Sequence, residues 1–268
     1  DVIAAMGDKI EAKRLAEEAD VPVIPGITEV KSAEKIRKWV EEESIDFPII
    51  IKAAAGGGGK GMVKVDRKED IKRAFQQARS ESKKAFGSAS ILVEKYIEHG
   101  RHIEVQILAD NHGKVVHLGE RDCSLQRRHQ KVLEEAPAPG LSPEMKENMA
   151  TAAIASAEAI GYVGAGTVEF LLTPDGDFYF MEMNTRLQVE HPVTEMIFGE
   201  DLVEWQLRVA AGEDLPLGQG ELEILGHAIE VRLYAEDPAR GFMPATGTLA
   251  HLRFPEESAH VRVDTGVE

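Results

Sequence analysis

The segment from Thr167 to Glu195, TVEFLLTPDGDFYFMEMNTRLQVEHPVTE, limits the possible folds more than any other stretch of the chain. It centres on Asp175-Gly176, a pair that readily takes the positive φ angles of a two-residue hairpin turn. With Asp175 and Gly176 as the loop residues, Glu169 falls opposite Glu182 and Thr167 opposite Asn184, and strand alternation puts all four on one face. Two carboxylates facing each other with Cβ atoms about 5 Å apart repel unless something compensates them. A hard divalent cation does so naturally, because Glu169, Glu182 and Asn184 offer the oxygen ligands that Mg²⁺ prefers. The alternative is a solvated strand face that tolerates two acids. Phe178 and Phe180 beside them argue for partial burial, and so for the metal.

The 268 residues suffice for a sizeable core divided between two lobes. A net charge of −16 argues against a nucleic-acid or membrane-surface binder, so neither is expected as a partner. The single cysteine, Cys123, excludes a disulfide framework and favours a reducing compartment, the cytoplasm or, in a eukaryote, the mitochondrial matrix. No apolar run is as long as a membrane span. The chain opens on Asp1 rather than Met and closes on HVRVDTGVE, which reads as a strand cut in mid course; a fragment of a longer protein is expected.

In chain order, Asp8 followed by Glu11 resembles a capping box and opens a helix through Ala19, with Lys9 in its first turn. Pro22, Pro25 and Gly26 end that helix and lead into a new unit. There Ile36, Trp39 and Val40 have helical spacing, IDFPIIIKA and MVKV read as strands, Asp66 caps a helix with an apolar face of Ile71, Ala74, Phe75 and Ala78, and ASILVEKYI closes the unit as a strand. HIEVQILAD and KVVHLGERD follow as strands joined across Asn111-His112-Gly113, and Ser142-Pro143 starts a helix that runs to Gly161. After the acidic hairpin a helix begins near Glu200-Asp201 and stops at Gly212. HAIEVRLYAED reads as a strand with Glu230, Arg232 and Tyr234 on one face.

Two stretches suggest anion chemistry. Lys52 through Met62, KAAAGGGGKGM, lacks the Lys-Ser or Lys-Thr and following helix of a phosphate-binding P-loop, since Met62 to Val65 is strand-like. Its glycines form a hairpin tip whose bare backbone can close over phosphates, with Lys52 and Lys60 adding cation; a merely flexible loop is the alternative. Pairing with a metal-type acidic hairpin favours phosphoryl transfer, which needs both a divalent ion and charge-spreading donors. The second stretch, Arg121 to Lys131, is cationic and reads as a binding loop, against the alternative of surface ion pairs with Glu134 and Glu135. Beyond the hairpin, Arg186 and Glu190 stand four apart, as a simple salt bridge if helical, or as an anion holder beside a base.

The stretches GDKIEAKRLA, IIIKAAAGGGGKGM, VEKYIEHGRHIEVQ, ERDCSLQRRHQKVLEEAPAPG, AGTVEF and YFMEMNTRLQVEHPVTE together resemble the biotin carboxylase component of biotin-dependent carboxylases, members of the ATP-grasp superfamily. The resemblance runs from the first residues to about Gly247. It implies an α+β fold with a small glycine-lidded α/β lobe on a larger, mainly antiparallel lobe: a linker helix over 1–24, a lid over 25–95, and a central subdomain over 96–268. It implies a two-step ligase reaction in which ATP phosphorylates bicarbonate to carboxyphosphate, and the released CO₂ carboxylates N1′ of biotin held on a partner carrier domain. A carboxyltransferase subunit or domain would be the second partner, and a homodimer is expected of the full-length protein. The implied cofactors are ATP, Mg²⁺ or Mn²⁺ in its place, and carrier-borne biotin.

Residue by residue, Glu169, Glu182 and Asn184 resemble the metal ligands, the two glutamates also facing ATP. Lys9, Lys52 and His129 resemble phosphate contacts, with Gly57, Gly58 and Gly59 in the lid. Glu94, Lys95 and Ile97 match the adenine hinge, and His102 and Gln126 match positions beside ribose and phosphates. Lys131, Arg186, Gln188 and Val189 resemble the bicarbonate pocket, Glu190 the base that deprotonates bicarbonate, and Arg232 the residue that stabilises the biotin enolate. Full-length family members carry a Rossmann-like domain before the position of Asp1 and further residues after Glu268; a biotin-attachment Met-Lys-Met is absent from this sequence. An ATP-grasp ligase that passes an acyl phosphate to an amine would share the lid and the acidic hairpin. Arg186 to Glu190, Arg232 and the RRHQK stretch are of the carboxylase type.

Overall fold

The computed structural model describes residues 6–55 and 61–267. Gly57, Gly58, Gly59 and Lys60 of the glycine stretch lie outside the described residues. The chain divides into two compact units, Asp1–Glu230 and Val231–Glu268.

Within the first unit, residues 26–95 build a four-stranded antiparallel sheet in the order β1 (Gly26–Ile27), β4 (Ile91–Lys95), β2 (Ile49–Ala53), β3 (Met62–Val65). The β-branched residues of β2 and β4 turn Ile49, Ile51, Ile91 and Val93 to one face. There they meet Ile36, Trp39 and Val40 of α2 (Ala33–Glu42) and Ile71, Ala74, Phe75 and Ala78 of α3 (Ile71–Phe86). This is the burial that the helical spacing predicted. Register sets Ile50 opposite Glu94 and Lys52 opposite Leu92, so Lys52 and Glu94 share the other face. Asp66 does not cap α3: a short 3₁₀ turn over Lys68–Asp70 intervenes, and Asp66 pairs with Lys64 at 3.1 Å instead.

A six-stranded sheet forms the larger part, in the order β10 (Ala228–Val231), β7 (Gln130–Ala136), β6 (Val115–Arg127), β5 (Arg101–Ala109), β8 (Gly164–Leu172), β9 (Phe178–Asn184). Ile103, Val105, Ile107, Val168, Phe170 and Met183 point to one face. They pack with Met149 and Ala153 of α4 (Pro143–Glu158) and with Ala12 and Ala16 of α1 (Lys9–Glu18). Both helices begin as read from sequence: Asp8 accepts from the Ile10 and Glu11 amides, and Ser142 accepts from the Met145 amide. Glu11 bonds Arg14 rather than completing a capping box.

By alternation the opposite face carries His102, Glu104 and Gln106 of β5, with Arg121, Thr167, Glu169, Glu182 and Asn184 paired across it. Farther along β5 this face becomes apolar, and Leu108, Val116, Leu118 and Ala165 gather with Leu202 and Val209 of α6 (Leu202–Ala210).

The acidic hairpin reaches the expected register by an unexpected route. Thr173 donates its N–H to Asp177 O at 2.7 Å, so the loop is Pro174-Asp175-Gly176 and not Asp175-Gly176 alone. The fixed φ of Pro174 suits the first corner of a type I turn, and Gly176, at φ +93°, takes the left-handed position that follows. This offsets the pairing by one residue, so that Leu172 faces Phe178 and Phe170 faces Phe180. A bulge at Met181 then returns the offset, and Glu169 faces Glu182 and Thr167 faces Asn184 as the sequence predicted.

Three further expectations are corrected. The cationic stretch 121–131 is not a loop but a continuation of β6 and β7 joined by a two-residue turn. Arg128 and His129 both take positive φ there, +52° and +64°. The sequence hides this hairpin because neither residue is the Gly or Asn that such a turn favours. A short helix, α5 (His191–Phe198), follows the acidic hairpin where no helix was read. HAIEVRLYAED is not one strand: β10 ends at Val231, and among the described residues of the second unit β11 (Glu236–Asp237) pairs with β12 (Met243–Pro244). Glu236 and Asp237 face Pro244 and Met243 there, and Asp237 caps the turn over Pro238–Arg240.

Candidate functional site

The polar face of the six-stranded sheet converges on Lys131. Its Nζ donates to Glu104 Oε2, to Glu169 Oε1 at 2.7 Å and to Glu190 Oε1 at 2.6 Å. The two-residue turn makes this possible by pairing Lys131 with Gln126 across β6 and β7, one residue inside the loop. Glu104 and Glu190 are 0% and 2% exposed, and the cost of burying such charges is met only by close pairing. Arg121 supplies the second cation. Completely buried, it donates to Glu104 Oε1 (2.6 Å), Gln106 Oε1 (2.7 Å), Thr194 Oγ1 (3.0 Å), Thr167 Oγ1 (3.2 Å) and Gln188 Oε1 (3.4 Å). Its planar fork thereby ties β5, β8, the Arg186–Glu190 bend and α5 to one point.

Glu169 is the other hub. Its Oε1 also accepts from Asn184 Nδ2 and Gln188 Nε2, both at 3.0 Å. His102 Nε2 stands 3.1 Å from Oε2, an ion-pair distance at an angle outside hydrogen-bond geometry. Gln126 Nε2 lies 2.7 Å from His102 Nδ1. Burial alone would raise the Glu169 pKa, but His102 and Lys131 hold it well below the ordinary carboxylate range. Glu104 behaves alike: burial opposes its charge, and Arg121 and Lys131 restore it. Burial disfavours a charged His102, yet Glu169 raises its pKa above the ordinary value. Cys123, also buried here, has its thiol pushed well up by burial and by Glu104.

At the sheet edge Glu182 Oε2 lies 2.6 Å from Lys9 Nζ on α1. On the open face of the four-stranded sheet, Glu94 receives Lys52 Nζ at 2.7 Å and Lys13 Nζ at 3.0 Å on separate oxygens. Burial would raise the Glu94 pKa; Lys52 and Lys13 lower it.

Of the residues named from sequence, Lys131, Glu169, Asn184, Gln188, Glu190, His102 and Gln126 thus form one cluster. Lys9 with Glu182, and Lys52 with Glu94, form two acid–ammonium contacts outside it. Lys95 is exposed with its amide bonded to Pro25 O, Ile97 is half-buried nearby, and His129 is exposed on its turn. Arg186 is exposed and donates to Leu187 O and Asn184 Oδ1. The segment 186–190 is not helical, so Arg186 and Glu190 are not neighbours on a helix turn, and Val189 is 58% exposed. Arg232 belongs to the second unit. Sequence reasoning missed Glu104, Gln106 and Thr194 as parts of the site, and it missed Lys13; Thr167 it placed on the right face without a role. The signal for the first two was present: HIEVQ alternates His102, Glu104 and Gln106 onto one face, and three polar residues in a row on a strand face are rarely left without partners.

Glu169, Glu182 and Asn184 share one strand face and offer oxygens alone as metal-binding atoms, a set that fits a hard divalent cation. Glu182 is far more open than Glu169, its side chain 35% exposed against 6%.

The family described as carbamoyl-phosphate synthase L chain, ATP binding domain, matches residues 8–217, and the biotin carboxylase C-terminal domain matches residues 230–268. The chain is 54% identical to the mitochondrial methylcrotonoyl-CoA carboxylase subunit alpha of Dictyostelium discoideum, over all of this chain but 38% of that protein. It is 52% identical to biotin carboxylase 2 of Bacillus subtilis, over 96% of this chain and 57% of that one. Among solved structures, the biotin carboxylase domain of the Hydrogenobacter thermophilus 2-oxoglutarate carboxylase superposes with a TM-score of 0.91 at 47% identity, covering 96% of this chain and 56% of that one. It is a dimer in complex with MgADP, ADP and bicarbonate. The Campylobacter jejuni biotin carboxylase, in a β-γ-ATP complex, gives 0.86 at 48% identity, over 91% of this chain and 54% of that one. The chain therefore spans about two-fifths to three-fifths of the relatives it matches. On the match over residues 8–217 it belongs to the family of the carbamoyl-phosphate synthase L chain ATP-binding domain, and within that ATP-grasp fold to the biotin carboxylase component of biotin-dependent carboxylases.

Proposed function

We propose that the full-length protein carries out ATP-dependent carboxylation of carrier-bound biotin by bicarbonate, the first half-reaction of an acyl-CoA or pyruvate carboxylase. The observation that carries this reading is Lys131 bridging Glu104, Glu169 and Glu190. It links the paired-acid end of the site, suited to a metal–nucleotide, to a buried carboxylate suited to proton abstraction.

In this reading residues 25–95 form the lid lobe, and the nucleotide lies between the open face of its sheet and the polar face of the larger one. Glu94, Lys95 and Ile97 take the base, His102 and Gln126 border ribose and phosphates, Lys9 and Lys52 neutralise phosphate oxygens that His129 also contacts, and Gly57, Gly58 and Gly59 are further ATP-binding residues. Glu169, Glu182 and Asn184 would hold Mg²⁺, which would supply positive charge against the charge that develops on the transferred phosphoryl group. Lys131, Arg186, Gln188 and Val189 hold bicarbonate as an anion near Glu190, which takes its proton. Lys131, whose Nζ donates to Glu190 Oε1, holds the anionic substrate against that carboxylate, and this positioning favours the proton transfer. The γ-phosphoryl group passes to a bicarbonate oxygen and ADP leaves. Carboxyphosphate then breaks to CO₂ and phosphate; the released phosphate takes the N1′ proton of biotin, Arg232 stabilises the enolate so formed, and N1′ attacks CO₂ to give carboxybiotin.

The partners that follow are a biotin carrier domain and a carboxyltransferase subunit or domain, with a homodimer as the assembly and no nucleic acid or membrane. The single buried thiol of Cys123 suits a reducing compartment, the cytoplasm or a mitochondrial matrix. The match of residues 230–268 to the biotin carboxylase C-terminal domain favours this reading over an amine-using ligase. In the full-length protein, Glu190→Gln is expected to keep Mg-ATP affinity within about threefold while lowering biotin carboxylation at least ~100-fold, the range of a lost general base. Equal loss of both, by calorimetry and by ¹⁴C-bicarbonate incorporation, contradicts the role of Glu190.

A further inference from the structure

Lys13 is buried, 8% exposed, in a helix whose other charged residues face water or the sheet edge. Its Nζ donates to Ile24 O and lies 3.0 Å from Glu94 Oε1. Glu94 itself is 7% exposed, and its second oxygen carries Lys52 at 2.7 Å. One buried carboxylate therefore serves two ammonium groups. If Lys52 were its only partner, Lys52 could leave for another anion only by stranding a buried charge, which is strongly unfavourable. With Lys13 in place, Glu94 keeps a partner whichever way Lys52 turns.

The geometry gives Lys13 the means to do this. One turn before it on the same helix face, Lys9 reaches Glu182 of the six-stranded sheet, while Lys13 reaches Glu94 of the four-stranded one. α1 is held firmly: Ala12 and Ala16 lie in the core of the larger sheet, and the Lys9 amide donates to Ala54 O at the end of β2. Glu94 has little room to follow Lys52. A Cβ on Gly26, its neighbour across β1 and β4, would stand 2.9 Å from Glu94 Cγ and 2.4 Å from Val93 O.

We propose that Lys13 is a positioning residue for nucleotide binding: it holds Glu94 from α1 and thereby releases Lys52 to the phosphate chain. The proposal rests on the reading that Lys52 contacts ATP phosphates. Lys13 touches neither nucleotide nor reacting atoms, so its effect is on affinity rather than on the chemical step.

The test uses the full-length protein with Lys13→Met, which keeps the apolar stem without the charge, and Lys13→Arg, which restores a cation. Mg-ADP affinity is measured by calorimetry, KM for ATP and kcat in the biotin-dependent assay, and the melting temperature without nucleotide. Lys13→Met is expected to weaken Mg-ADP binding and raise KM for ATP about tenfold, with kcat within about threefold, and Lys13→Arg to recover affinity to within about threefold. Unchanged nucleotide affinity in Lys13→Met overturns the proposal, as does a lowered melting temperature with KM intact, or an arginine variant as impaired as the methionine one. Should Lys13→Met not fold, Lys13→Gln, which keeps a donor for Ile24 O but no charge, carries the same expectation. Failure of the unaltered protein to bind Mg-ADP would refute the nucleotide reading itself; binding by the unaltered protein and equally by Lys13→Met would refute only the role of Lys13.

Discussion

Arg121 donates to five side chains and has no exposed surface, which makes it the residue on which the polar face depends most. Replacing it by leucine leaves Glu104 buried with a single cation and removes the link to Thr167 and Gln188. Urea unfolding of Arg121→Leu is expected to show a loss of about 3–5 kcal/mol, and a loss under 1 kcal/mol would mean that the network relaxes around the gap. The carboxylates set an acid limit. Glu94, Glu104 and Glu169 have folded pKa values below their unfolded ones. Their contribution is therefore complete above the unfolded value of about 4.3 and is lost as pH falls through the lower folded values. His102 works in the other direction, its folded pKa being raised: its contribution is complete below about 6.5 and is lost as pH rises through the higher folded value. Unfolding free energy against pH should fall steeply on the acid side and decline gently above neutrality, and His102→Gln should flatten the alkaline decline and also reduce the share of the acid limb that Glu169 contributes. At this scale the sequence exposes Glu169, Glu182 and Asn184 through simple alternation. It conceals Arg121, because a cation within an ERD run looks the same whether it pairs at the surface or lies wholly inside.

Elements were legible where one local rule decides them and illegible where two compete. α1, α2 and α4 follow from caps and apolar spacing, and the core face of α3 follows although its start does not, since the 3₁₀ turn over Lys68–Asp70 moves the start past Asp66. The acidic hairpin shows two errors that cancel. Pro174 lengthens the turn by one residue, the Met181 bulge absorbs it, and the paired acids end opposite each other. The Arg128-His129 turn defeats turn rules because two non-glycine residues hold left-handed backbone, and such strain is found where a loop must present particular side chains. The close fit of β8 to the residues below it offers a direct check. A Cβ on Gly166 would stand 2.7 Å from the Tyr162 ring, which cannot swing away while its hydroxyl bonds Ala165 O. Gly166→Ala is expected to cost about 1–3 kcal/mol by chemical denaturation, and a neutral effect would show that Tyr162 moves freely.

For the whole molecule, the two antiparallel sheets and their separate apolar cores account for the α+β class expected from the sequence. The resemblance in sequence motifs and the similarity to solved biotin carboxylases lead to the same fold. What composition and periodicity could not supply is the convergence of Glu104, Glu169 and Glu190 on Lys131, since these residues come from three distant segments and meet only through sheet order. The chain spans 38% of one relative and 57% of another, so the proposed activity is tested on the full-length protein. The measurement is ATP turnover by the full-length protein with free biotin or its carrier, with and without bicarbonate and with an amine in its place. ADP formation that requires both bicarbonate and biotin is the predicted result; ADP formation that ignores bicarbonate, or that depends on the amine, contradicts it.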